Sequence, residues 1–324
     1  MAKRNLSLQH HPSDHYIKEA LKVEAVGRQF VQTFLPPEEL ALLNLNTLQL
    51  APDSFIGEDL RHYFSDIVYT CQTQQGKPMR VCLLIEHKST PVGRRIYVQL
   101  GNYLRSIQEE DIRQQREYFT LTIPMLILQS DEGDLVLLAL EKYYGEVPEV
   151  MQGYIPGFKV VVVRVQALTD EFLEGLRHSL LLRNVLLVLK YARDADYMRV
   201  HFREVLTFVS DEVSTELLLI LFRATFLYVQ QMSNFSKEEV MDLIQTLPSP
   251  YEQEAKSTYQ QILEEGFEKG LEKGRAEGRA EGIEIGAEKV LLAFLRKNPG
   301  WSDEEVAAAF DVSMELVRRV RSLL

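Results

Sequence analysis

Two short apolar segments in the first half of the chain constrain its fold more than any other feature. The first, residues 65–69, reads Ser-Asp-Ile-Val-Tyr, and the second, residues 82–89, reads Cys-Leu-Leu-Ile-Glu-His-Lys-Ser. The turn-forming sequence between them, Thr-Gln-Gln-Gly-Lys-Pro, predicts a β-hairpin with strands over 66–72 and 79–88. Charged groups at the ends of buried strands are costly unless they serve each other or a metal. Asp66, Glu86 and Lys88 are therefore candidate site residues.

The register of this hairpin decides whether Asp66 and Glu86 can act together. Directly opposed residues of an antiparallel pair share a face, so Asp66 must lie opposite an even-numbered residue. That condition requires a connection of three or five residues, or a β-bulge. A two-residue turn would instead set Asp66 opposite His87 and place Glu86 on the other face. The functional register also puts Cys71 and Cys82 on opposite faces, which excludes a disulfide between them.

The rest of the pattern predicts an α/β fold. Helices are expected over 12–35 and 93–108, strands over 121–128 and 159–165, and mainly helices from 171 to 243. Ser13 or Asp14 can cap the first helix, and a loop is expected from Leu45 to Phe55. This order indicates a core with a mixed sheet over 1–168 and a helical C-terminal extension. The first part of that extension, 169–263, completes or flanks the core.

The C-terminal sequence has a different character. Glycine recurs every fourth residue from Gly266 to Gly286 among Glu, Lys, Arg and Ala. This tract, 264–290, predicts a helical spacer, and its winding row of glycines also permits close helix approach in a homo-oligomer. Residues 291–324 predict a small helical hairpin capped at Ser302 and Ser313. The alternative interpretation is half of a DNA-binding helix-turn-helix, in which the arginines at 318, 319 and 321 would contact phosphates.

Composition narrows the class of protein. A chain of 324 residues with 46% hydrophobic and 26% charged residues is an ordinary globular protein. Two cysteines are too few for a disulfide framework, and no apolar run reaches membrane-spanning length. No secretory signal is present, so a soluble cytoplasmic protein without a membrane partner is expected. The net charge of −11 opposes an extensive nucleic-acid-binding surface but permits a local basic face.

The charged residues of the hairpin suit phosphodiester hydrolysis. Carboxylates bind Mg²⁺ or another divalent cation, which neutralises phosphate charge and lowers the pKa of bound water. Asp66 and Glu86 are the expected ligands, with the backbone carbonyl of His87 completing the oxygen shell. Lys88 would stabilise the developing negative charge. The competing explanation is a surface ion pair at the strand ends.

An ordered series of segments between Asp14 and Tyr103 resembles the Rpn recombination-promoting nucleases, also called YhgA-like transposases. The matching segments are residues 14–18, 34–36, 54–60, 65–69, 84–89 and 95–103. That family is assigned to the PD-(D/E)XK nuclease superfamily, so the resemblance implies a restriction-endonuclease-like core. The family's Tyr-His-Gly after the third strand is replaced by Gln129-Ser130-Asp131 in this chain.

The resemblance implies a metal-dependent DNA endonuclease linked to recombination or mobile elements. Asp66, Glu86 and Lys88 would be its catalytic set. Asp14 is a further candidate ligand, with helix capping as its competing role, and Gln99 on the following helix is another candidate. Two other functions stay open: a catalytically inactive DNA-binding or transposon-accessory protein, and an oligomeric interaction protein that acts through its C-terminal helix.

Overall fold

The predicted hairpin lies within a mixed β-sheet. The computed structural model describes residues 12–51, 67–87, 94–129 and 140–324, and in this part of the chain the sheet has five strands. They follow sequence order as β1 Leu43–Leu50, β2 Ile67–Thr73, β3 Pro78–His87, β4 Leu121–Gln129 and β5 Val161–Arg164. The β1–β2 and β2–β3 pairs are antiparallel, whereas β3–β4 and β4–β5 are parallel. The predicted α/β class and mixed sheet are confirmed.

Helices account for most of the remaining chain. Their bounds are α1 Pro12–Leu21, α2 Glu24–Phe34, α3 Pro37–Leu40, α4 Arg95–Arg113, α5 Asp170–Gly175, α6 Leu180–Tyr191, α7 Ala195–Val205, α8 Thr215–Met232, α9 Lys237–Gln245, α10 Tyr251–Lys297, α11 Asp303–Phe310 and α12 Met314–Arg321. Short 3₁₀ helices lie at Leu140–Tyr144, Glu149–Tyr154 and Val165–Ala167. The chain divides into two compact units, Met1–Thr258 and Tyr259–Leu324, and the division falls within α10.

In the first unit, helices cover both faces of the sheet. Val68 of β2 packs with α4 in a buried cluster that also includes Leu126 and Leu128 of β4. The next residue, Tyr69, faces the other side, where its hydroxyl donates a hydrogen bond to the Leu21 carbonyl at the end of α1. On that side α1 packs against α8, and α2 packs against α6. Because strand side chains alternate, the single step from Val68 to Tyr69 separates two helical layers.

Three expectations for the N-terminal region were wrong. The predicted helix over 12–35 is two helices, because Val23 has an extended backbone with φ −75° and ψ 104°. The helix begins by Pro12, so Ser13 and Asp14 lie inside it and neither is its N-cap. The expected loop from Leu45 to Phe55 begins inside strand β1, which spans Leu43–Leu50. Its register shifts between Asn44 and Gln49, so the residues do not alternate as a regular strand does.

A buried charge network fixes the end of the sheet where β3 and β4 begin. Asp111 in the last turn of α4 lies 3.4 Å from the guanidinium of Arg80 and 3.5 Å from that of Arg116. The same carboxylate accepts hydrogen bonds from the backbone amide and hydroxyl of Thr120, at 2.6 and 3.0 Å. Asp111 and Arg80 are buried. Because the Asp111 carboxylate has several partners, breaking this buried network would destabilise the fold.

The second unit contains α10 from Tyr259 onward and the two terminal helices. The glycines from Gly266 to Gly286 all lie within α10 and are exposed, which confirms a helical tract. Ser302 and Ser313 are the N-caps of α11 and α12, as predicted. Five buried side chains form the core: Leu291, Leu295, Val306, Val317 and Val320.

The arginines of α12 are engaged in ion pairs within this unit. Arg319 contacts the carboxylates of Glu284 and Glu288, and Arg321 lies 2.7 Å from Asp303. Arg318 lies 3.7 Å from the same aspartate. These contacts favour the small helical hairpin over a DNA-reading helix, because the guanidinium groups neutralise carboxylates of their own unit.

Candidate active site at the carboxyl end of strand β3

The site predicted from the sequence falls where β3 and β4 end. His87 is the last residue of β3 and pairs with Gln129, the last residue of β4; Glu86 pairs with Leu128. For Glu86 and His87 the structure describes the backbone. Asp66 and Lys88 lie outside the described residues. The backbone thus places the Glu86 position at one sheet edge, next to the end of a parallel neighbour.

The register of the hairpin meets the condition that the sequence hypothesis set. Ile67 pairs with Leu83 and Gln72 with Pro78, so even-numbered residues of β2 oppose even-numbered residues of β3. The Thr73 amide donates a 2.8 Å hydrogen bond to the Lys77 carbonyl, which leaves a three-residue connection. Its last residue, Gly76, has a φ of 80°, a conformation that favours glycine. The predicted odd-length connection is therefore confirmed.

The two cysteines follow the same register. Cys71 pairs with Met79 and Cys82 with Val68, so they are not cross-strand partners. The Cys71 thiol is free and buried, and burial raises its pKa to about 11. It is therefore a buried apolar group at neutral pH rather than a nucleophile or metal ligand.

A buried hydrogen-bond network connects the end of β4 to helices on one face of the sheet. The Gln129 amide nitrogen donates to the Leu189 carbonyl of α6 at 3.0 Å and to the Tyr228 hydroxyl of α8 at 3.2 Å. That hydroxyl also lies 3.0 Å from Ser13 Oγ on α1. Four elements thus meet beside the strand end that carries the Glu86 position. The sequence hypothesis missed Tyr228, and the only signal for this corner was Gln129 in place of the family's Tyr-His-Gly.

Aromatic packing and charge also fix the start of α1 at this corner. The rings of Tyr16 and Tyr228 are stacked, with centroids 4.6 Å apart and planes 8° from parallel. Burial, above all, raises the pKa of the Tyr228 hydroxyl, and the negative charge of Asp14 raises it further. Asp14 therefore lies close enough to the network to act on it electrostatically. Its place next to Ser13 brings a carboxylate to the same end of the sheet.

The two weaker candidates lie on different faces of the sheet. Asp14 belongs to α1, in the layer that Tyr69 contacts, whereas Gln99 belongs to α4, in the layer that Val68 contacts. The Gln99 side-chain oxygen is buried without a hydrogen-bond partner in the described structure. These residues approach the sheet from opposite sides, so they could meet only around its edge.

The metal hypothesis depends on residues near this edge. Within residues 12–51, 67–87, 94–129 and 140–324, no group of three or more His, Cys, Asp or Glu side chains could hold a metal ion. The expected donors are the carboxylates of Asp66 and Glu86 with the His87 carbonyl, a hard oxygen set of the kind that Mg²⁺ binds. The even-to-even register is compatible with this set.

The described fold and strand-end geometry are those of an α/β protein with a mixed sheet and a polar corner at the end of adjacent parallel strands. Residues 10–218 match the family described as "Putative transposase, YhgA-like". The chain belongs to this family. No solved structure matches it. In the part of the chain that the structure describes, no helix is long and apolar enough to cross a membrane.

Relatives in Escherichia coli K12 are similar to this chain over part of its length. It is 30% identical to recombination-promoting nuclease RpnC over 120 residues, 37% of this chain and 39% of that protein. It is 28% identical to RpnA, a nuclease of the same description, over 188 residues, which are 58% and 62% of the two chains. It is 27% identical to the inactive recombination-promoting nuclease-like protein RpnE over 188 residues, which are 57% of this chain and 60% of that protein. The matches span less than two thirds of these relatives.

Proposed function

We propose that this protein is a metal-dependent DNA endonuclease with a PD-(D/E)XK-type core, acting in recombination or on mobile elements. The observation that carries the proposal is the hairpin register, in which even-numbered residues of β2 oppose even-numbered residues of β3. If Asp66 continues the register of β2, its carboxylate and that of Glu86 would lie on the same face of the hairpin. Membership of a family whose relatives include named recombination-promoting nucleases supports the reaction class.

In this mechanism the chain's own groups bind and orient the phosphodiester. Asp66, Glu86 and the His87 carbonyl would hold Mg²⁺, which supplies charge neutralisation and a water of lowered pKa when bound. Lys88 would stand beside the scissile phosphate and stabilise the negative charge that develops on it. The network around Tyr228 would hold the start of α1 and the end of β4 in place, so that Asp14 stays at the same edge as an additional ligand.

A plasmid-cleavage assay with added Mg²⁺ tests this function. We expect cleavage by the wild type, and about a hundredfold or greater loss of rate in D66A, E86A and K88A. The control is E149A, which removes an exposed carboxylate from a 3₁₀ helix and should cleave like the wild type. Cleavage that persists unchanged in D66A, or that needs no divalent cation, would refute the assignment.

A second candidate is a catalytically inactive DNA-binding or transposon-accessory protein. It is favoured by the similarity to RpnE, which is named inactive. Gln129 also favours it, because this residue replaces part of the family's Tyr-His-Gly and its amide is bonded to Tyr228 and Leu189. This candidate predicts salt-sensitive DNA binding that D66A does not change, with no cleavage by the wild type.

A further inference from the structure

We propose that the outer face of helix α4 and the loop that follows it bind single-stranded DNA. This surface comprises Arg94, Arg95, Val98, Arg105, Ile112, Arg113, Tyr118 and Phe119, and we call it the α4 surface. The inference rests on the proposed function for the choice of polymer. It adds the strand state of the DNA and the surface that holds it, neither of which follows from the catalytic residues.

Charge is the first reason to assign a polyanion to the α4 surface. Residues 94–119 contain five arginines and four acidic residues, in a chain whose net charge is −11, and the first fifteen of them contain Arg94, Arg95 and Arg105 with no acidic residue. All three of these arginines are exposed. Because phosphate neutralisation supplies much of the affinity for nucleic acids, a local excess of arginine matters more than the charge of the whole chain.

The exposed residues of α4 form one continuous stripe. Arg95, Val98, Asn102, Arg105, Glu109 and Ile112 recur at intervals of three, four, three, four and three residues, which keeps them on one helical face. The opposite face carries Ile96, Leu100, Tyr103 and Ile107 and is buried against the sheet. A helix of 19 residues is about 28 Å long. The stripe therefore offers contacts to several successive phosphates of one strand.

Two exposed rings lie in the loop that follows the helix. Tyr118 and Phe119 have 76% and 59% of their surface exposed. Their loop is held to the last turn of α4, because the Arg116 amide donates a 2.9 Å hydrogen bond to the Asp111 carbonyl. The Asp111 carboxylate also holds the Thr120 amide at 2.6 Å. The two rings therefore lie in a loop that hydrogen bonds hold to the end of α4.

The mixture of arginine with exposed rings favours a single strand over a duplex. Base faces are stacked out of reach inside duplex DNA, whereas unpaired bases stack on aromatic side chains without requiring a particular sequence. Val98 and Ile112, which are 62% and 63% exposed, add apolar surface next to the arginines. A duplex-binding face would need the charge but would gain nothing from these apolar groups.

The ion pairs on α4 do not oppose this role. Arg105 lies 3.6 Å from Glu109 and Arg113 lies 2.8 Å from Glu110, both within the helix. Exposed pairs of this kind contribute little free energy. Because a guanidinium has five N–H donors, each arginine can also contact a phosphate while it keeps its carboxylate partner.

Fluorescence anisotropy with a labelled 20-nucleotide oligo(dT) tests the proposal. Binding is measured in EDTA, where a metal-dependent nuclease cannot cut, and is compared with a 20-base-pair duplex. We expect the double variant R94A/R105A to bind about tenfold or more weakly and its salt slope to fall by about 1.4. The variant Y118A/F119A should bind about tenfold more weakly with an unchanged salt slope. The control R177A/R203A removes two exposed arginines from the helical layer and should bind like the wild type.

Three results would overturn the inference. They are no binding of the oligonucleotide by the wild type, equal binding by the α4 variants and the wild type, and tighter binding of duplex than of single strand. Circular dichroism of each variant identifies any loss of binding that is caused by misfolding. The variant R94A/R105A leaves the sequence of the loop unchanged, so it tests the helix separately. Binding of the oligonucleotide in EDTA, together with no plasmid cleavage by the wild type in Mg²⁺, would contradict the nuclease proposal while leaving this one standing.

Discussion

The side-chain amide of Gln129 donates a 3.2 Å hydrogen bond to the hydroxyl of Tyr228, which lies 99 residues later in the chain. This contact joins the end of β4 to α8, and the same hydroxyl reaches Ser13 on α1. The proposed catalytic edge is therefore braced by residues outside the hairpin that carries its charged groups. Bracing of this kind holds a site in register when its ligands come from separate elements.

Removing the Tyr228 hydroxyl should destabilise the first unit. In Y228F the Gln129 amide and Ser13 hydroxyl keep their burial but lose a shared partner, which costs about 1–3 kcal/mol in free energy of unfolding. Urea denaturation followed by circular dichroism measures this loss. Y154F, at a tyrosine that is 80% exposed, is the control and should unfold like the wild type. An unchanged midpoint in Y228F would show that the network contributes no stability.

Breaking the buried charge network should cost more. D111A leaves Arg80 buried without its carboxylate and removes the acceptor of the Thr120 amide, so we expect a loss of about 3–5 kcal/mol. E109A, on the exposed side of the same helix, should change stability by less than about 1 kcal/mol. The comparison by urea denaturation separates a buried network from a surface pair. Equal effects of the two substitutions would contradict the structural role of Asp111.

Close packing of α2 on the sheet makes Gly27 sensitive to substitution. A Cβ atom at this position would lie 2.8 Å from Cε1 of Tyr69 and closer still to the phenol oxygen. We expect G27A to lose about 1–3 kcal/mol because the buried ring has to move. G101A in α4 meets nothing within 4 Å and should be neutral or stabilising by up to about 1 kcal/mol. Thermal denaturation of the two variants checks the opposite signs.

The Cys71 thiol should make stability depend on pH in the alkaline range. Burial raises its pKa from 9.0 to about 11, so the folded state favours the neutral thiol. The stabilising contribution is complete below pH 9 and declines as pH rises towards 11, because the unfolded chain loses this proton first. The free energy of unfolding of the wild type should therefore fall relative to that of C71V as pH rises from 9 to 11. Urea midpoints from pH 8 to pH 11 that keep a constant difference would exclude this linkage.

The hairpin shows how far local pattern can be used. Two apolar segments around a Gly-containing turn predicted the strands to within a residue or two, and the parity requirement predicted the odd-length connection. Both depend on alternation along a single strand pair, which is a local property. Caps at Ser302 and Ser313 were predicted for the same reason, since a cap bonds to an amide three residues away.

The errors arose where distant contacts overrode local pattern. Strand β1 was not predicted, because its irregular register with β2 breaks the alternation of side chains. At this irregularity the Gln72 amide of β2 donates a hydrogen bond to the Thr47 hydroxyl of β1. The break between α1 and α2 was not predicted, because the apolar pattern is continuous over both helices and carries no sign of the distant Tyr69 ring. That ring bonds to Leu21 at the end of α1 and fills the space above Gly27.

The sequence by itself determined the class of fold, the order of the main elements from β2 to β5, the family and the charged residues proposed to act at the strand ends. Each depends on periodicity, composition or motif order, all of which are readable along the chain. Only the tertiary structure decided that Gln129, Tyr228 and Ser13 share one buried network and that the arginines of α4 lie on its exposed face. Those relations join residues far apart in sequence, and packing of the helices on the sheet is what brings them together or turns them outward.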